Sequence, residues 1–77
     1  MALVRKFSSL ETERVSAQQE VEARAGRAEI NGETYVVIKT YGKPGRKYPD
    51  MASQTIQLDR VGAEALMDIL RRTFALS

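Results

Sequence analysis

The residues with the most evident chemistry are three tyrosines and a group of cations in one short stretch. All the tyrosines and four interleaved cations lie within 35–48: Tyr35, Lys39, Tyr41, Lys43, Arg46, Lys47 and Tyr48. Only Glu33 and Asp50 oppose these cations, so residues 33–50 contain the whole formal excess of +2. A cationic track binds phosphates, and aromatic rings stack on unpaired bases. The pattern predicts a site for single-stranded nucleic acid; the alternative is tyrosines that only pack on a sheet or dimer surface.

Enzymatic chemistry lacks its usual side chains. The chain has no Cys and no His, so thiol nucleophiles, imidazole bases and the common zinc ligands are missing. Its carboxylate pairs, Glu20/Glu22 and Glu64/Asp68 among them, are typical of solvated faces, and no glycine-rich phosphate motif opens a helix. We therefore expect a binding protein and not an enzyme, with no cofactor and no metal.

The short chain limits the size of the hydrophobic core. A chain of 77 residues is expected to form a single domain over 1–77 and to bury about 60% of its unfolded surface. Without disulfides, self-association is the expected reinforcement. No apolar run reaches the roughly 18 residues of a membrane span, so we expect no membrane partner and a cytoplasmic location.

The clearest predicted element is a C-terminal amphipathic helix. Asp59 is a good N-cap residue, and Arg71 and Arg72 fall in the last turns, where cations favour the helix dipole. The apolar stripe is wider than one thin sheet would cover, which indicates a partner subunit. Its residues form the predicted dimer interface: Leu66, Met67, Ile69, Leu70 and Phe74.

Three strands are predicted before the helix. Residues 53–59 alternate in polarity, and 34–42 are rich in β-branched and aromatic residues. Asn31-Gly32 is a strong hairpin signal that joins 34–42 to a strand over 20–30, where a slipped alternation at Gly26 predicts a β-bulge. Alternation also predicts that Tyr35, Lys39 and Tyr41 share one face with Gln57.

Residues 8–25 allow two interpretations. Ser8 to Glu11 could be a helix capping box, but the alternation from Val15 to Ala25 favours strand. One strand over 12–25 would run roughly 45 Å, too long for this domain, so we expect a bend at 16–19. The prediction is an α+β fold, a curved four-stranded antiparallel β-meander followed by one helix.

The stretch YVVIKTYGKPGRKYPDMASQTIQLDRVGAEALMDILRRTF resembles the C-terminal half of the single-stranded-DNA-binding transcriptional coactivators typified by positive cofactor four. The resemblance covers about residues 35–75. It implies four curved antiparallel strands and a helix, dimerisation through the helices, and single strands bound across the β faces. It also implies a role for each matched position: Lys39 and Tyr41 at the sheet edge, Arg46, Lys47 and Tyr48 in a binding loop, and Arg14 and Arg24 as backbone contacts.

The sequence thus predicts a homodimeric, largely sequence-independent binder of single-stranded DNA or RNA. The expected contacts are Arg14, Arg24, Tyr35, Lys39, Tyr41, Lys43, Arg46, Lys47, Tyr48 and Gln57. The alternative is a protein-interaction module without nucleic-acid affinity, which would dock a partner on its helix stripe or on an edge strand.

Overall fold

The computed structural model describes residues 1–42 and 52–77. These residues form four strands and a helix: β1 Ala2–Val4, β2 Glu22–Ile30, β3 Glu33–Tyr41, β4 Ala52–Leu58 and α1 Arg60–Phe74. The strands make one sheet in the order β1-β4-β3-β2. The predicted α+β class, with four strands and a C-terminal helix, is confirmed.

The predicted antiparallel meander is wrong at its first strand. β2, β3 and β4 pair antiparallel, but β1 is the first segment of the chain and pairs parallel with β4, so the sheet is mixed. The strand expected from residue 12 does not form; residues 5–21 contain only a turn at 13–14. The alternating residues between 12 and 21 are mostly small or polar, so a strand there would bury little apolar surface. β1 instead places Val4 beside Leu58, the residue at the centre of the core.

The hairpin of β2 and β3 forms as expected. Asn31 and Gly32 have φ values of 51° and 82°, the left-handed pair that a two-residue turn requires. The register continues without a shift from Ile30 opposite Glu33 to Glu22 opposite Tyr41, so the predicted bulge at Gly26 is wrong. The slipped alternation consists of alanines, which are too small to determine which residues face the core. The irregularity lies between β3 and β4, beside Thr40 and Tyr41.

The helix covers only one end of the sheet. Asp59 accepts a hydrogen bond from the Gly62 amide at 2.7 Å, which confirms the predicted N-cap. A Cβ on Gly62 would collide with the Val4 carbonyl oxygen, so glycine is needed where β1 meets the helix. The helix contacts β3 and β4, and Leu58, 4% exposed, is the only buried apolar side chain in the described residues.

The described fold leaves much apolar surface open. Arg71 and Arg72 lie in the last helical turn, as predicted. On the sheet, Val36 and Ile56 each remain 38% exposed, although they lie on the same face as Leu58 in the strand register. No helix in the described part of the chain is long and apolar enough to cross a membrane.

Candidate nucleic-acid interface

One face of the sheet collects the tyrosines of β3. We call it the tyrosine face and define it by Tyr35, Val37, Lys39 and Tyr41, which alternate with Val36, Ile38 and Thr40 on the opposite face. On β4 the register places Thr55 opposite Lys39 and Gln57 opposite Val37. The predicted placement of Tyr35, Lys39, Tyr41 and Gln57 on one face is therefore confirmed.

At one end of this face, three side chains form what we call the Arg24 cluster: Arg24, Lys39 and Tyr41. Arg24 on β2 lies opposite Lys39 on β3. Its guanidinium carbon lies 4.3 Å from the centroid of the Tyr41 ring, within the range of a cation–π contact. The cluster brings two cations and an aromatic ring together on an open surface.

Glu22 modulates the charge of this cluster. The carboxylate of Glu22 accepts a hydrogen bond from Arg24 Nε at 2.8 Å. Both side chains are more than half exposed, at 62% and 56%, so water screens the ion pair and its contribution to stability is about 0–1 kcal/mol. The pair orients the guanidinium over Tyr41 without removing it from solvent.

A shallow groove adjoins the cluster at Gly26. Its volume is about 320 Å³, and a Cβ on Gly26 would meet nothing within 4 Å, so the missing side chain leaves open space. Residues of β2 and β3 line the groove: Arg24, Ala25, Gly26, Arg27, Ala28, Val37 and Lys39. The groove therefore has an apolar floor, with Arg24 and Lys39 at its border, a form suited to a planar group that carries a negative charge.

The other end of the tyrosine face has the opposite electrostatic character. The Tyr35 hydroxyl donates a hydrogen bond to the Glu33 carboxylate at 2.9 Å. This hydrogen bond is the largest cause of a raised pKa for Tyr35, and slight burial and the Glu33 charge add to it. A phosphate at this end would meet the Glu33 carboxylate. Arg5 and Asp59 also act on Tyr35, with opposite effects on its pKa. The acidic neighbour on its own strand therefore distinguishes Tyr35 from Tyr41, which has Arg24 and Lys39 beside it.

The other predicted site residues have different outcomes. Arg14 lies in the turn at 13–14 and not on a strand, so its predicted place on the sheet is wrong; the polar segment around it is not paired into the sheet. Arg24 lies on β2, as predicted. The remaining loop residues, Lys43, Arg46, Lys47 and Tyr48, lie outside the described residues.

The helix residues of the predicted dimer interface divide into two groups. Leu66 and Ile69 are half-buried and line a cavity of about 660 Å³ beside Phe7 and Leu10. Met67, Leu70 and Phe74 are exposed by 47%, 39% and 67%. The second group is open to a partner, and the role of all five in dimerisation stays a prediction.

The groove at Gly26 was missed by the sequence analysis. The signal in the sequence is a glycine within a regular strand, which often marks a close approach of a ligand or backbone, although the slipped alternation around it predicts a bulge. Within residues 1–42 and 52–77, no group of three or more acidic side chains is placed to hold a metal ion.

Comparisons of the chain with protein-family models, curated proteins and solved structures found no match.

Proposed function

We propose that this protein is a homodimeric, largely sequence-independent binder of single-stranded nucleic acid, and that the Arg24 cluster is the centre of its site. The observation that supports this proposal is the position of Arg24, 4.3 Å from the Tyr41 ring centroid and opposite Lys39 in the register. Two cations next to an aromatic ring match the two parts of a nucleotide, a phosphate and a planar base.

The guanidinium plane extends the stacking surface. A base that approaches Tyr41 from solvent can stack on the Arg24 plane, because guanidinium groups stack on bases much as aromatic rings do. Alternatively, Arg24 moves to a phosphate and leaves the ring free for the base. Lys39 is exposed and binds the backbone as a flexible point charge. None of these contacts reads the edge of a base, so little sequence preference is expected.

The exposed surface of the single chain supports self-association. The chain has 6993 Å² of accessible surface, whereas a compact monomer of 8.6 kDa is expected to have about 4,700 Å². The radius of gyration, 14.6 Å, also exceeds the roughly 11.5 Å of a compact domain of this length. Part of the excess belongs to residues 5–21, which are exposed and form no strand. A partner subunit that covered the remainder would bury an area in the range of homodimer interfaces.

The proposal is tested by titrating the protein into a fluorescently labelled dT oligomer and measuring anisotropy at several salt concentrations. Saturable binding at low salt that weakens as salt rises is expected, because phosphate contacts release counterions. The double variant Arg24→Ala/Lys39→Ala should lose most of this binding, and Lys6→Ala, a cation outside the strands, serves as the control. No saturable binding at low salt, or binding indifferent to salt, would refute the proposal.

The exposed helix stripe favours a second candidate function, docking of a protein partner. Met67, Leu70 and Phe74 follow one another at helical spacing and are all exposed, as in helices that bind an apolar groove. This candidate predicts heteromers without nucleic-acid affinity. Purification of partners from lysate with and without nuclease separates the two, because only a nucleic-acid binder loses its associated material after nuclease treatment.

A further inference from the structure

β2 forms a long outer edge of the sheet, and no strand in the described part of the chain pairs with its outer side. β2 has nine residues, all exposed except Ala28, which gives an edge of about 30 Å. Among the described residues, the backbone hydrogen bonds outside the helix and strands lie at 12–15, 59–63 and 71–76, and none reaches β2. Natural proteins usually protect such an edge with charges, prolines or bulges. β2 has no proline, lysine or bulge, and its four charged side chains pair with one another along the strand.

The hairpin geometry determines which backbone groups point outward. The two residues that flank a two-residue turn form backbone hydrogen bonds with each other, here Ile30 and Glu33. In an antiparallel ladder, every second residue of β2 from Ile30 onward likewise directs its N–H and C=O groups toward β3. The alternate residues direct their N–H and C=O groups away from β3, toward the open edge. These residues are Ala23, Ala25, Arg27 and Glu29.

We propose that the β2 edge pairs antiparallel with β2 of a second copy of this chain, which joins two sheets into one. A two-fold axis at Gly26 pairs Ala25 with the partner's Arg27, and Ala23 with the partner's Glu29. This register overlaps all nine residues and forms about eight backbone hydrogen bonds. It also places Arg24 and Glu22 opposite apolar residues, Ala28 and Ile30 of the partner subunit.

The charges of β2 favour a second copy over other partners. Arg24 pairs with Glu22 at 2.8 Å, and Arg27 pairs with Glu29 at 3.1 Å. Each face of the strand is therefore neutral, and a second copy meets no net repulsion as it approaches. A strand from a strongly charged protein would find no complementary net charge on this edge.

This pairing would complete the groove on the tyrosine face. The groove borders β2 at Gly26, so a two-fold axis at Gly26 places the groove of each copy against that of the other. The two Arg24 clusters then lie on one continuous face, on either side of the axis. The inference specifies the self-association in the proposed function, and it does not depend on nucleic-acid binding.

The test compares two substitutions at one position, without nucleic acid. Ala25→Pro removes an N–H that points outward and leaves the bonds to β3 intact, because proline is tolerated at a strand edge. Ala25→Thr keeps the N–H and serves as the control. Light scattering is expected to give the Ala25→Pro variant half the mass of the parent, and the Ala25→Thr variant the parent mass. A monomeric parent of 8.6 kDa, or an unchanged mass for Ala25→Pro, would overturn the inference.

Amide hydrogen exchange of the parent protein tests the same edge if Ala25→Pro fails to fold. Paired amides exchange slowly, so the outward amides of Ala23, Ala25 and Arg27 should be as protected as those of Arg24 and Gly26, which bond to β3. Dilution should remove the protection of the outward amides alone. Fast exchange of the outward amides at high protein concentration contradicts edge pairing.

Discussion

The two described tyrosines lie on the same face and the same strand, yet their surroundings differ in charge. Tyr41 lies beneath the Arg24 guanidinium and near Lys39. Tyr35 lies six residues away, about 20 Å along the strand, and its hydroxyl donates to the Glu33 carboxylate. Residue type and strand face are therefore insufficient to define this site; the neighbouring charges decide which tyrosine can receive a nucleotide.

The largest difference is expected when each tyrosine is removed in turn. Tyr41→Ala should weaken binding of a dT oligomer by about 1–3 kcal/mol, the value of one stacked base, which is about 5- to 150-fold in Kd. Tyr35→Ala should leave Kd within about twofold of the parent, because its acidic neighbour excludes a phosphate. Fluorescence anisotropy measures both.

Tyr41→Phe is the matched control, since it keeps the ring and removes only the hydroxyl. Its Kd should remain close to that of the parent. Equal losses for Tyr35→Ala and Tyr41→Ala would mean that the whole face binds, and that the Arg24 cluster is not its centre.

The faces of β3 and β4 could be predicted because their signals are strong and local. A β-branched run, a two-residue turn and a period of two fix which residues share a face, and Tyr35 to Tyr41 follow this period in the structure. The start of the chain could not be predicted in this way. β1 has three residues and pairs with residues more than fifty positions away, as Ala2 does with Ile56; no local pattern contains that pairing.

The details of the site depend on the same non-local information. The contact between Arg24 and Tyr41 requires the register of β2 against β3, and the sequence pattern predicts a bulge in that register at Gly26. An uninterrupted register instead brings Arg24 opposite Lys39 and Glu22 opposite Tyr41. The sequence could thus indicate the types of residue at the site, but not their contacts.

The charge of the Arg24 cluster is tested by Lys39→Ala. We expect weaker binding to every oligonucleotide sequence and a salt slope lower by about one unit, because one phosphate contact and its counterion are lost. Lys6→Ala removes the same charge outside the strands and should leave the slope unchanged. The measurement is the slope of log K against log salt concentration for the parent and both variants. Equal slopes for all three would place the phosphate contact elsewhere.

A smaller effect is expected from Glu22→Gln, which removes the carboxylate beside the cluster. Affinity should rise about twofold at low salt, since an exposed charge pair is worth roughly 0.5 kcal/mol, and the gain should disappear at high salt. Glu29→Gln is a well-matched control: it lies on the same strand, pairs with Arg27 at 3.1 Å and points to the opposite face. A similar gain for both variants would indicate only a change in net charge.

The smallest effect concerns the acidic end of the face and needs no ligand. The hydrogen bond to Glu33 raises the pKa of Tyr35 above its usual 10.0, because the carboxylate accepts from the neutral hydroxyl and repels the phenolate. Stability from this contact is present below pH 10 and is lost as the pH rises through the folded-state pKa. In an ultraviolet titration of tyrosine ionisation, Glu33→Gln should shift part of the absorbance change to lower pH. In a Tyr35→Phe background, the same substitution should leave the titration unchanged, since the acidic end of the face then has no phenol to ionise.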